Sequence, residues 1–219
     1  MTKKFVNILL LYPVFMGIFF FLPAGSFRFW QAWVYTTVIF VPMIITMTYL
    51  IKNDPALLER RMRYKEKEAE QKLIIKLFKL PFLIGYFIPG FDYRFNWSDV
   101  PVNVVILANC IVFLGYILIF FVFRENTYTS RIVEVEEGQK VISSGPYSLV
   151  RHPMYTGTIM MFLFTPLALG SWWSLCMFGF LPLVLIYRIF NEEKFLLKDL
   201  PGYKEYCEKV RYRLIPYIW

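Results

Sequence analysis

The sequence predicts an all-α protein, a multi-pass transmembrane helical bundle of about six crossings with cytoplasmic amphipathic segments. Three observations predict it. Hydrophobic residues make up 58% of the 219, aromatics 20% and charged residues only 18%, with a mean hydropathy of +0.49. A soluble fold of that composition exposes aggregation-prone apolar patches, and the low hydrophobicity that marks a disordered chain is absent. Uncharged runs of about twenty residues, the length that spans a bilayer, alternate with strongly basic stretches. If the N-terminus is cytoplasmic and there are six crossings, only Arg28 and Arg94 of the 24 Lys and Arg fall in external turns. That is the asymmetry of the positive-inside rule.

The elements follow in order. Phe5–Ala24 is uncharged and predicts a first, retained span. Its positive n-region resembles that of a signal peptide, but the run is longer than a signal core and a second run follows at once. Pro23, Gly25 and Ser26 predict a short turn. Phe29–Ile51 is the second span, with Trp30 and Trp33 as interfacial aromatics. Asp54-Pro55 predicts an N-cap with proline at the first helical position, opening a charged surface helix within Lys52–Lys79. Leu80–Phe91 is short and interrupted by Pro81 and Pro89, so it either begins near Leu73 and crosses or is re-entrant. Charge balance favours a crossing, because without it the basic residues would divide between both faces. Val102–Phe123 is a clean span. Pro153–Tyr187 is too long for one helix, and Gly170-Ser171 divides it into a tight hairpin. The tail from Arg188 to Trp219 is amphipathic and is broken at Pro201-Gly202. The chain thus divides into residues 1–99, membrane helices with a basic cytoplasmic segment, and residues 100–219.

Several classes are excluded. Three cysteines form no closed disulfide framework, and Cys110 and Cys176 lie within apolar runs. A single histidine and no CxxC pair predict no metal site. The net charge of +8 reports topology and contact with anionic lipid, so no nucleic-acid partner is expected. The C-terminal Pro216-Tyr217-Ile218-Trp219 is not a prenylation box. No internal repeat of the kind seen in transporters is present.

Chemistry-bearing residues concentrate between Gln139 and Pro216. His152, the lone histidine, stands where a polar loop meets a helix opened by Pro153. There it faces backbone N–H groups and the positive end of a helix dipole, which suit an anion or a polar cofactor edge. Arg188 and Glu192 are four apart after a long uncharged span and share one helical face. Charge so near a bilayer is costly and points to function, although an interfacial salt bridge accounts for the same pair. Tyr147 and Tyr155 also suit an aromatic belt.

Three elements stand in order: Gly145-Pro146-Tyr147, Arg151-His152-Pro153-Met154-Tyr155, and Arg188-Ile189-Phe190-Asn191-Glu192-Glu193. A two-helix spacer separates the last from the others, and Pro201-Gly202-Tyr203-Lys204-Glu205-Tyr206 and Val210-Arg211-Tyr212-Arg213-Leu214-Ile215-Pro216 follow. Here the chain resembles the isoprenylcysteine carboxyl methyltransferase family of membrane S-adenosylmethionine-dependent methyltransferases, over roughly residues 100–219; phospholipid N-methyltransferases look similar in this region. The resemblance implies that S-adenosylmethionine is held by the loop Gln139, Lys140, Val141 and Ile142, by Tyr147, by His152, Pro153, Met154 and Tyr155, and by Glu192. It implies that Arg188 contacts the acceptor. It implies a site facing the cytoplasm and a lipophilic acceptor entering from the membrane, an isoprenylcysteine-type carboxylate. Rival readings are a phospholipid amine or small thiol as acceptor, a sterol-reductase-like hydride enzyme, and a non-enzymatic lipid-binding or transport protein. No Arg/Lys cluster suited to a nicotinamide cofactor's 2′-phosphate stands out in the motif.

Overall fold

The computed structural model describes residues 11–62, 69–130, 135–136 and 138–219, and of 62 and 69–79 the backbone alone. The start of the first span and charged residues 63–68 lie outside the described residues. Helix α1, Leu11–Ala24, contains one π-helical turn at Gly17–Phe21 and ends on Gly25, whose φ of +62° lies in the left-handed region. Then follow α2 (Trp30–Asn53), α3 (Pro55–Met62), α4 (Ala69–Phe95) and α5 (Val102–Glu125). After a long loop with a 3-10 turn at Gly145–Ser148 come α6 (Pro153–Ala168), α7 (Leu175–Phe178), α8 (Leu181–Asp199) and α9 (Tyr203–Lys209). The described residues are helical and contain no strand. Among them, Trp30–Asn53, Val102–Glu125 and Leu175–Asp199 are long and apolar enough to cross a membrane.

Local chemistry explains the boundaries. Asp54 caps α3 as expected, its Oδ1 accepting the Leu57 N–H at 2.9 Å. The hairpin turns at Gly170, φ +73°. Three expectations need correction. Pro81 and Pro89 do not interrupt α4, which is continuous over 27 residues; packing against neighbouring helices carries it through, Pro89 being fully buried. The surface helix after Asp54 is described as far as Met62, and from Ala69 the charged residues already belong to α4. The second arm of the hairpin does not end at Tyr187. Helix α8 runs on to Asp199 and carries Arg188, Glu192 and Glu193 on the same rigid rod.

Packing places the site. Helices α5 and α6 approach backbone to backbone at Gly115 and Gly157, where a Cβ on either would lie 2.8 Å from the other's carbonyl oxygen. Such small-residue contacts drive association where lipid removes the hydrophobic advantage of larger ones. The outer faces are apolar and exposed, for example Ile106, Leu107 and Leu114. Inside, Tyr35 OH lies 3.1 Å from Tyr86 OH and 2.9 Å from Thr165 Oγ1, tying α2, α4 and α6. At one end of the bundle, Asp92 accepts from Ser98 N–H and Oγ, both at 2.7 Å, and from Ser171 Oγ. That carboxylate locks the α4–α5 turn onto the α6–α7 turn. The opposite end carries α3, the loop from Asn126 to His152, and α9, and the cavity opens there.

Candidate functional site

The loop after α5 starts from an Asx turn. Asn126 Oδ1 accepts the Tyr128 N–H at 2.9 Å, and its Nδ2 donates to Tyr147 OH at 3.0 Å. Further on, Gln139 N–H donates to Glu136 O, and Glu136 N–H to Gln139 Oε1, both at 3.0 Å. This turn delivers Gln139–Ile142 to the wall of a cavity. Tyr147 rides the 3-10 turn, its carbonyl accepting from Tyr206 OH at 2.7 Å. His152 is the N-cap of α6 and Pro153 its first residue. The backbone N–H groups expected to be available there are partly used: those of Tyr155 and Thr156 bond back to His152 O, and that of His152 to Arg213 O.

These elements line a cavity with an open mouth. All eleven residues singled out in the sequence line it: Gln139, Lys140, Val141, Ile142, Tyr147, His152, Pro153, Met154, Tyr155, Arg188 and Glu192. Three stretches separated by a helical hairpin therefore converge on one cavity. Its polar centre is a relay, in which Tyr155 OH donates to Glu192 Oε2 at 2.5 Å and accepts from Arg188 Nε at 2.9 Å. The shared face expected of Arg188 and Glu192 is real, and the tyrosine joins them.

Glu193, one residue on, turns away from Glu192 and is 5% exposed. Its Oε1 lies 3.2 Å from His152 Nε2 and, as an ion pair, 3.2 Å from Arg151 Nε; its Oε2 accepts from Arg213 Nε at 2.9 Å. The two adjacent glutamates thus divide the work: Glu192 faces the cavity and Glu193 clamps its floor. His152 therefore meets the cavity with its ring already held by a carboxylate.

Sequence reasoning missed Asn126, Thr129, Tyr203 and Tyr206, which also line the cavity. The tyrosines stood in the quoted Pro201–Tyr206 motif, but nothing in their spacing pointed inward. Tyr203 is the most telling: its OH is buried at the cavity without a hydrogen-bond partner. Such a group costs free energy unless a ligand or water satisfies it. Burial pushes the phenols of Tyr147, Tyr203 and Tyr206 up, so all three remain protonated donors at neutral pH.

Residues 103–201 match the family model described as phospholipid methyltransferase. Among curated proteins, the Delta(14)-sterol reductase TM7SF2 of Mus musculus is 32% identical over 105 residues, 44% of this chain and 25% of that protein. The Delta(14)-sterol reductase erg24 of Schizosaccharomyces pombe is 25% identical over 158 residues, 64% of this chain and 36% of that protein. The chain thus spans a quarter to about a third of these relatives. Among solved structures, the eukaryotic intramembrane Ras methyltransferase ICMT (isoprenylcysteine carboxyl methyltransferase) superposes with a TM-score of 0.51. The match covers 97% of this chain and 86% of that one at 16% identity, a likeness of fold.

Proposed function

We propose that this chain, whose residues 103–201 match the phospholipid methyltransferase family model and whose fold is like that of the intramembrane methyltransferase ICMT, moves a methyl group from S-adenosylmethionine to a lipophilic acceptor, an isoprenylcysteine-type carboxylate. The observation that carries this reading is the convergence of three separated sequence elements on one cavity around the Glu192–Tyr155–Arg188 relay. The residues present fit the cofactor. Tyr203 offers a buried donor without a partner at the cavity wall.

When bound, S-adenosylmethionine supplies an electrophilic methyl group on a sulfonium. Gln139, Lys140, Val141, Ile142, Tyr147, His152, Pro153, Met154, Tyr155 and Glu192 are the residues that would hold it. Glu192 offers a carboxylate to a positively charged ligand, and Glu193 fixes His152 in place behind it. Arg188 presents the planar fork that grips a carboxylate at two points, which orients the acceptor. A carboxylate needs no general base to become a nucleophile, so the chain's task is positioning and exclusion of water. Acceptors of the phospholipid-amine or small-thiol type must lose a proton, which separates them by the pH dependence of turnover.

The test is cofactor affinity and methyl transfer to an isoprenylcysteine analogue by detergent-purified protein. Glu192→Gln is expected to weaken S-adenosylmethionine binding, and Arg188→Ala to cut turnover while sparing it. Arg188→Lys should rescue poorly. Equal loss of cofactor binding in both variants removes the division of roles; no binding by the unaltered protein removes the reading. The curated relatives favour a second reading, a hydride enzyme of the sterol-reductase type. Saturable binding of a reduced nicotinamide dinucleotide in the same assay, without S-adenosylmethionine binding, would establish it.

The bundle is proposed to cross about six times with the cavity facing the cytoplasm. Charge asymmetry supports this, as does the position of α3 beside the Asn126–Gln139 loop at one end. In a cysteine-free background, Glu59→Cys and Glu205→Cys, both at exposed sites, should label from one side and Asn96→Cys from the other.

A further inference from the structure

Helix α3 lies outside the stretch that matches the family model, yet it grips the loop that forms one wall of the cavity. Arg60 Nε donates to both carboxylate oxygens of Glu136 at 2.9 Å, and Nη2 to Oε2 at 2.7 Å. Its remaining arm, Nη1, donates to Thr127 O at 3.1 Å and to Thr127 Oγ1 at 3.3 Å. Its guanidinium carbon lies 5.5 Å from the centre of the Tyr128 ring. One side chain therefore holds the loop at two points, nine residues apart in sequence. The first point is next to Asn126 and Tyr128, which line the cavity. The second is Glu136, whose turn with Gln139 leads directly into the Gln139–Ile142 wall. Arg61 adds a third point, its Nη1 reaching Ser130 O at 3.3 Å and Met154 Sδ at 3.6 Å, both on the cavity wall.

We infer that Arg60 is a positioning residue for the cavity: through Glu136 and Thr127 it sets where Gln139–Ile142 stand and hence how well the cavity binds. Geometry favours this over a surface ion pair of little consequence. The pair is bidentate, its side chains are only 16% and 25% exposed, and a planar fork shared between a carboxylate and a backbone carbonyl fixes direction as well as distance. A lysine supplies the charge without that fork. The inference rests on the reading of Gln139–Ile142 as a ligand-binding wall, and the experiment separates the two.

Hydrogen exchange without ligand and calorimetry with S-adenosylhomocysteine are measured on the full-length protein and on Arg60→Ala, Arg60→Lys, Glu136→Ala and the Arg60→Ala/Glu136→Ala double variant. Arg60→Ala is expected to speed exchange locally at residues 138–142 and to weaken S-adenosylhomocysteine binding about tenfold, with Arg60→Lys intermediate. The double variant should be no worse than Arg60→Ala, because the contact with Glu136 is already lost once Arg60 is removed. Unchanged exchange at 138–142, or exchange raised equally through α5, α6 and α8, overturns the inference. So does faster local exchange with unchanged affinity. If the unaltered protein binds no S-adenosylhomocysteine, the functional reading fails, and local exchange alone decides whether Arg60 positions the wall.

Discussion

Residues 11–95 pack mainly through aromatic surfaces and residues 102–219 more through directional contacts, although Gly90, where a Cβ would lie 2.8 Å from Phe20 O, and the Asp92 carboxylate bring both kinds into the first region. Aromatic surfaces still predominate there: Tyr12 stacks on Phe40 with ring centres 4.4 Å apart, and Phe15 on Phe19 at 4.1 Å. Its Gly17 has nothing within 4 Å of where a Cβ would be. The second region is held by directional contacts with no slack, in the Gly115–Gly157 crossing and in the polar clamp on Glu193. Aromatic packing accepts many side chains of the right size, whereas a glycine crossing or a three-partner carboxylate accepts almost none.

The contrast is most easily broken at Glu193. Glu193→Ala leaves the buried Arg151 and His152, with Arg213, facing no carboxylate, and should destabilise the detergent-solubilised protein by ~3–5 kcal/mol. Denaturant unfolding measures it, and a loss below about 1 kcal/mol would make the clamp incidental. The next effect sharpens the contrast by sign. Gly157→Ala puts a Cβ 2.7 Å from Ile119 Cγ1 and 2.8 Å from Gly115 O, and should cost ~1–3 kcal/mol. Gly17→Ala meets open space and should be neutral or stabilising by roughly 0.5–1 kcal/mol. Matching thermal shifts for the two would erase the distinction.

The smallest effect is one of pH. The Tyr147, Tyr203 and Tyr206 phenols are raised by burial in the folded chain. Once pH passes about 10 the unfolded chain releases protons that the folded chain keeps, so the unfolded state gains and stability falls. Below that pH their contribution is complete. The melting temperature should hold from pH 8 to 9.5 and drop above it, less steeply in Tyr203→Phe.

Much of the architecture was legible because membranes write it in simple terms. Uncharged length marks α2 and α5, Gly170 marks the hairpin, and Asp54-Pro55 marks α3. The site was legible where neighbours in sequence are neighbours on a face, as with Arg188 and Glu192, or where a motif is contiguous, as from Arg151 to Tyr155. What escaped depends on partners distant in the chain. Nothing local to Glu193 says that Arg213 and Arg151 will meet it, and nothing local to Arg60 points to Glu136. Nor does spacing show that Tyr203 turns its hydroxyl into a cavity. The prolines of α4 misled for another reason, since packing against neighbouring helices carries a helix through a proline that would break it alone.

The hydroxyl of Tyr155 has one consequence of its own. It has a single proton, given to Glu192, and an oxygen that accepts from Arg188. A cation drawn to Glu192 competes for the carboxylate that holds this proton, and an anion drawn to Arg188 competes for the guanidinium that holds the oxygen. If the proposed ligands bind at the two ends of the cavity, they are thermodynamically linked, and occupancy of one changes affinity at the other by the same factor in both directions. Tyr155→Phe removes the hydrogen-bonded part of this link while leaving both charges in place, and the coupling between the two ligands, read from the affinity of each with and without the other, should weaken.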